Sequence, residues 1–363
     1  MDTTAVATSS WGVDPALIAL PAVVRTWRDY LAVRADPTKR LRFWSSADQR
    51  RTPDPDLLVA SERYILDANA VLVEALPLAA GDSSRWVLRT MYVGAGTAAH
   101  PGLLAMERIY MVREGGRWVL AHASAFETEG WQRAQVGPIE YVVHPAVRFN
   151  AARAAETARW AEATSERFGI TNAAPITYYQ VPDLQAAFRV MGLDWAISSD
   201  RVGGKANSPA RVVFAANPRF GEAYRHELVH VLLHPLVGGS SSFVSEGIAY
   251  WLGGARGNSY PEMMRDLSLH LASQPAVGLG SILTSDGSGA LAHARLPAAA
   301  GVFEIAHRRG GDSGVLRFVA ALGKDEPALD AVARALGVAP AELELAWLSV
   351  VRSHSGEATT HTN

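Results

Sequence analysis

From Pro21 to Val33 the apolar residues Val23, Val24, Trp27, Tyr30 and Leu31 recur at helical spacing and predict an amphipathic helix. Farther along, the period shortens. Arg85–Val93 (RWVLRTMYV) and Ala105–Phe126 (AMERIYMVREGGRWVLAHASAF) are rich in β-branched and aromatic residues and predict strands. Between two of them, Glu114-Gly115-Gly116-Arg117 predicts a tight hairpin turn, because both glycines accept a positive φ. A helix followed by a meander of strands predicts a small α+β domain over residues 1–143.

His144-Pro145 marks the expected boundary to a second domain, residues 144–352. It is predicted to open with a helix over Asn150–Phe168 and to continue with strands at Pro175–Val181 and Ala210–Ala216. A polar, glycine-containing loop separates these strands. From Gly221 the pattern is mostly helical, with breaks at glycines and acids. Residues 353–363 read as a disordered tail.

One segment of this second domain combines a clear helical period with reactive side chains. Glu222–Leu233 predicts a helix stopped by Pro235, with Leu228, Val229 and Leu232 backing it against a core. His226 and His230 lie four apart, so both imidazoles project from one face and can reach a single ion. Glu227 sits beside them, displaced round the helix, where it can hold a water instead of binding the ion. Two imidazoles and one carboxylate, with a fourth position left open, suit one zinc ion.

His234 and Glu246 compete to be the third ligand. His234 lies eight residues beyond His226, about 12 Å along a straight helix, too far to share an ion with bonds of about 2.1 Å. It reads better as a histidine meeting the carbonyl end of the helix. Glu246 belongs to a second predicted helix, Ser245–Leu252, closed by Gly253-Gly254. The Gly/Ser-rich loop Leu236–Phe243 lets this helix fold back antiparallel and bring Glu246 to the histidines. Six residues after His230 stands Leu236, which excludes the class that uses a third histidine there.

Composition narrows the field. Across 363 residues there is no cysteine, which excludes disulfides, thiolate catalysis and Cys-ligated zinc. The net charge of -2 argues against a nucleic-acid or anionic-membrane surface. Neither a secretory leader nor an apolar run of membrane-spanning length is legible, so the default expectation is a cytoplasmic protein without a membrane span.

The chain resembles known families in two places. HELVH followed by SEGIAYWLGG is similar to the gluzincin metallopeptidases, specifically the peptidase MA-like group, over roughly Tyr141 to Arg352. The resemblance implies a zincin-type α+β fold: a small mixed sheet, an active-site helix and a helical C-terminal lobe. It implies zinc ligands His226, His230 and Glu246, with Glu227 as general base for a metal-activated water attacking a peptide or protein substrate. It also implies that Arg211, Val212, Val213 and Phe214 form an edge strand that pairs with extended substrate. Tyr224, Tyr250, Tyr260 and His293 are candidates to stabilise the oxyanion. Where the family often carries an acid to orient a ligand histidine, four residues after the ligand glutamate, this chain has Tyr250. The N-terminal pattern with its GGRWVL hairpin resembles the NTF2-like fold, with another α+β accessory domain as the alternative. Two other functions stay open: a zinc-binding scaffold without catalysis, and ligand binding by the N-terminal domain.

Overall fold

The computed structural model describes residues 19–355, except 53, 57–62, 80, 98–99, 172–173, 198–202, 286–290, 292 and 326. In chain order the described helices are α1 (Leu20–Leu31), α2 (Pro37–Leu41), α3 (Ser46–Arg51), α4 (Ala123–Glu127), α5 (Ala151–Arg167), α6 (Leu184–Met191), α7 (Arg225–Leu232), α8 (His234–Val237), α9 (Ser242–Gly253), α10 (Tyr260–Ala272), α11 (Leu279–Thr284), α12 (Arg295–Ala321), α13 (Leu329–Leu336) and α14 (Pro340–Ser353). The strands are β1 (Asn69–Pro77), β2 (Arg85–Thr97), β3 (His100–Glu114), β4 (Arg117–Ala121), β5 (Gln132–Val136), β6 (Ile139–Val143), β7 (Ile176–Gln180), β8 (Leu193–Ala196), β9 (Gly204–Asn207) and β10 (Val212–Ala215). The protein is thus a mixed α+β chain with two sheets. Among the described residues no helix is long and apolar enough to cross a membrane.

Two compact units emerge, and neither is continuous in sequence. The first joins Met1–Ala134, Tyr141–Arg148 and Thr177–Pro218; the second joins Gln135–Glu140, Phe149–Ile176 and Arg219–Asn363. The expected division after residue 143 is therefore corrected. Strands β7 and β10, predicted for the second domain, belong to the first unit. The reason is packing. Tyr179, Val181, Val212 and Phe214 share one buried cluster with Tyr92 and Ala105 of the N-terminal sheet.

In the first unit, α1 begins with Pro21 in its first turn and buries Val23, Val24, Trp27 and Tyr30. These pack on Trp86, Leu88, Ile109, Met111 and Leu120, the inner face of the antiparallel sheet β1–β2–β3–β4. The β3–β4 hairpin closes as expected: Gly115 and Gly116 have φ of 56° and 80°, and Glu114 pairs with Arg117. β8 pairs with the part of β3 that β4 leaves uncovered, Ala105 to Glu107. That pairing joins segments nearly a hundred residues apart and leaves no local sequence signal.

In the second sheet, of order β5–β6–β7–β10–β9, β10 runs parallel to β7 and antiparallel to β9. Both its edges are therefore bonded. The expectation that Arg211, Val212, Val213 and Phe214 form a substrate-pairing edge is corrected: the end strand is β9, inside what read as a polar loop. Arg211 precedes β10 with a φ of 57°.

The core of this unit also contains a charge cluster. Arg34 is buried, bonded to Asp56 at 2.7 Å and to Glu107 at 2.7 Å. Tyr30 donates to Asp56 and Tyr92 to Glu107. Burial opposes the guanidinium charge, but the two carboxylates outweigh it and hold Arg34 protonated.

In the second unit, α5 is capped by the Asn150 side chain, close to the predicted start. From Arg219 onward the described regular elements are all helices, centred on the fully buried Phe243, Phe303, Phe318 and Trp347. α12, in a stretch that read as helical throughout, kinks at Gly310-Gly311, where the backbone leaves helical geometry. The tail reading falls mostly outside the described residues, since 356–363 are not described; Ser353 itself closes α14.

Replacing Arg34 with Met would leave two carboxylates buried without a cation. The expected cost is about 3–5 kcal/mol, read as a lower urea midpoint of the full chain. Adding Asp56→Asn and Glu107→Gln should restore much of the loss; a neutral single substitution would contradict the role assigned to the cluster.

Candidate metal centre

α7 forms because HELVH is followed by VLL. Leu228, Val229, Val231 and Leu232 are fully buried and fasten the helix to the core. It begins later than predicted. Glu222 lies outside it and accepts the backbone N–H of Asn150 at 2.6 Å. It ends at Leu232, and His234 with Pro235 opens the short α8. His234 thus starts a new helix instead of ending the old one, and stays outside the cluster formed by the other two histidines. The end of α8 and the start of α9 occupy half of what was expected to be a loop, leaving residues 238–241 between them. Ser241 caps α9.

His226, His230 and Glu246 converge, with donor atoms all within 4.8 Å of one another. His226 Nε2 and His230 Nε2 are 3.2 Å apart. Each is 3.4 Å from an oxygen of Glu246. Four ligands placed tetrahedrally about zinc, with bonds of about 2.0–2.1 Å, lie about 3.3–3.4 Å from each other. The two imidazole nitrogens are thus spaced like one edge of such a tetrahedron, and each histidine faces a different oxygen of Glu246. Two imidazoles and a carboxylate also form a donor set that zinc accepts.

Two glycines allow this approach. A Cβ on Gly253 would stand 2.6 Å from the His226 backbone nitrogen, so only glycine lets the end of α9 touch the start of α7. A Cβ on Gly247 would stand 2.8 Å from the Phe303 ring, which seats α9 on α12 directly behind Glu246. The carbonyl of Gly254 lies 2.8 Å from His226 Nδ1. A carbonyl can only accept, so Nδ1 carries the proton and Nε2 presents its lone pair to the cluster. Sequence reasoning sought an orienting acid at position 250. The main chain orients His226 instead, and Gly253-Gly254 had signalled only a helix end. Tyr250 takes another place, its ring edge-on to that of His226 with centroids 5.2 Å apart.

Burial opposes charge on both histidines. At His226 the hydrogen bond it donates to Glu246 and the charges of Glu227 and Glu246 outweigh it and raise the pKa. At His230 burial wins and pushes the pKa down to about 4. Burial would raise that of Glu246, but the bond from His226 and the nearby imidazoles lower it. Near neutral pH, Glu246 is ionised and His230 neutral, the forms that bind a metal. Glu227 is buried on α7, is not one of the three clustered donors, and is close enough for its charge to act on His226.

The other candidates separate by position. Tyr260 donates to Glu304 at 2.5 Å and lies against the His354 ring. Tyr224 stacks on Phe220. His293 is exposed and lines a cavity of about 350 Å³ together with Tyr250, Arg256, His270 and Leu296. Of the four, Tyr250 makes the closest ring contact with a candidate ligand.

No known protein family, curated protein or solved structure matches this chain.

Gly253→Ala should cost about 1–3 kcal/mol, because the added methyl meets backbone atoms that cannot rotate away. Gly323→Ala, where a Cβ meets nothing within 4 Å, serves as the control. Equal melting temperatures for the two variants would contradict the close approach of α9 to α7.

Proposed function

We propose that this protein is a zinc-dependent peptidase of gluzincin type, with His226, His230 and Glu246 as ligands of one ion and Glu227 as general base. The observation that carries the reading is the convergence of His226 Nε2 and His230 Nε2, 3.2 Å apart, on the Glu246 carboxylate, with one ligand atom from each residue within 4.8 Å of the others; two imidazoles and a carboxylate are a donor set that zinc accepts. Zinc, when bound, supplies a Lewis acid that polarises a carbonyl and makes water more acidic.

The chain's own residues carry the rest. Gly254 fixes the His226 tautomer, which leaves Nε2 as the atom that would hold a metal. Glu227, next to His226 in sequence and not one of the three clustered donors, takes the proton from the attacking water and passes it to the leaving amine. Tyr250, packed against His226, donates toward the carbonyl oxygen as negative charge builds on it. The cavity that Tyr250 lines receives a neighbouring substrate side chain. Its mixed lining, Met263, Leu267 and Leu296 with Arg256 and His270, suits an amphipathic residue.

The test compares wild type with Glu227→Gln, both loaded with zinc, on a broad peptide library read by mass spectrometry. Zinc should remain at one ion per chain in both proteins. Cleavage should fall by about 10²–10⁴-fold in the variant, the usual contribution of a general base. A wild type that cleaves nothing, or a variant that cleaves equally, would sink the proposal.

A further inference from the structure

The orientation of His226 depends on a turn whose backbone is strained. Between α9 and α10, Ala255 and Asn258 exchange main-chain bonds of 3.0 and 2.9 Å, which leaves Arg256 and Gly257 at the tip with φ of 54° and 87°. Glycine adopts that conformation freely; arginine does not. Such a backbone persists only where its surroundings over-determine it. Gly254, at the start of the turn, presents the carbonyl that meets His226 Nδ1. A Cβ there would collide with the Asn258 carbonyl oxygen and stand 3.1 Å from the Ser259 Cα, so Gly254 lies directly against the end of the turn. A shift of Asn258 and Ser259 therefore moves the carbonyl that orients the histidine.

Tyr260 fastens that end. It follows the Ser259 cap as the first residue of α10, and its hydroxyl donates to Glu304 Oε2 on α12 at 2.5 Å. Burial and the bond to Glu304 push the phenol up, so it stays a donor near neutral pH. Burial would push the Glu304 carboxyl up too, but the bonds from Tyr260 and His354 and the Arg308 charge hold it below the usual carboxylate range. The pair is thus a charge-assisted hydrogen bond, about twice as strong as a neutral one. The carboxylate is itself held: Arg308 pairs with Oε1, and His354 Nε2, just past the end of α14, lies 2.9 Å from Oε2. Next to Glu304 on α12 stands Phe303, the ring that backs Gly247 behind Glu246. Adjacent residues of one helix therefore support ligands carried by two others.

We propose that Tyr260 and Glu304 are positioning residues for His226: their hydrogen bond holds the Gly254–Asn258 turn in its strained form and so keeps the imidazole bonded through Nδ1. The inference rests on the reading of His226 as a zinc ligand. Tyr260, a candidate oxyanion donor by sequence, has its hydroxyl committed to Glu304 and acts through the turn instead. Without that bond the turn relaxes, the His226 ring gains freedom to rotate, and a metal must reorder it on binding.

The experiment is NMR of the full, metal-free chain with isotopically labelled histidine. The His226 Nδ1–H signal, assigned by its absence in His226→Gln, reports the bond to Gly254 directly. In Tyr260→Phe, which removes only the hydroxyl, this proton should exchange with water about tenfold faster than in wild type, the effect of losing one hydrogen bond to a charged group. Zinc affinity, read by competition with a chelator, should fall about tenfold. Glu304→Gln, which leaves a neutral acceptor, should move both readings the same way by less, and it decides if Tyr260→Phe fails to fold. Ile282→Val, a core truncation on α11, lowers stability without touching the bond and should change neither reading. Unchanged exchange in the variant that decides, zinc held by it as tightly as by wild type, or equal effects in Ile282→Val would each overturn the proposal. A wild type that holds no zinc sinks the metal reading instead; the exchange rate, measured without metal, then still decides whether Tyr260 holds the turn.

Discussion

The second unit gathers two imidazoles and a carboxylate, with donor atoms within 4.8 Å of one another, in a half-buried place. Nothing in the donors themselves favours this. Two imidazole nitrogens repel when both present lone pairs, and a partly desolvated carboxylate is costly. The gathering is imposed by packing: the apolar back of α7, the glycines that admit α9, and Phe303 behind it. A cation relieves the cost, which is why the cluster reads as a metal centre. Without one, a proton shared between His226 and Glu246 plays the same part less well, and the raised pKa of His226 is its signature.

The first unit follows the same logic with the opposite sign. Arg34 is a fixed cation that two carboxylates and two tyrosines surround, so charge is balanced without any ligand. Such a cluster adds little net stability compared with an apolar core, but it punishes the loss of any one member. It also ties α1 to β3 and to the segment around Asp56.

How much of this was legible in the sequence depended on the range of each interaction. The histidine pair was legible because helix periodicity alone sets their spacing. Glu246 was legible because a glycine-rich turn made return of the chain feasible. The role of Gly254 was not, since a main-chain carbonyl is present at every residue and carries no sequence mark. β8 and β9 were missed because both are four-residue strands whose partners lie far away, or across a tight turn in a polar stretch. For the same reason β10 looked like an edge. The boundary after residue 143 failed because alternation along a strand reveals a buried face but not which sheet or core it joins.

Metal coordination is the most direct test of the metal centre. X-ray absorption at the zinc edge, on the zinc-loaded full chain after exhaustive dialysis, reads the coordination shell without depending on any substrate. Coordination by His226, His230 and Glu246 predicts retained zinc, two imidazole nitrogens, and oxygen completing a shell of about four ligands at about 2.0–2.1 Å. The outer-shell scattering of the imidazoles should drop by about half in His230→Ala. Zinc lost on dialysis, or a shell of oxygens only, would contradict it.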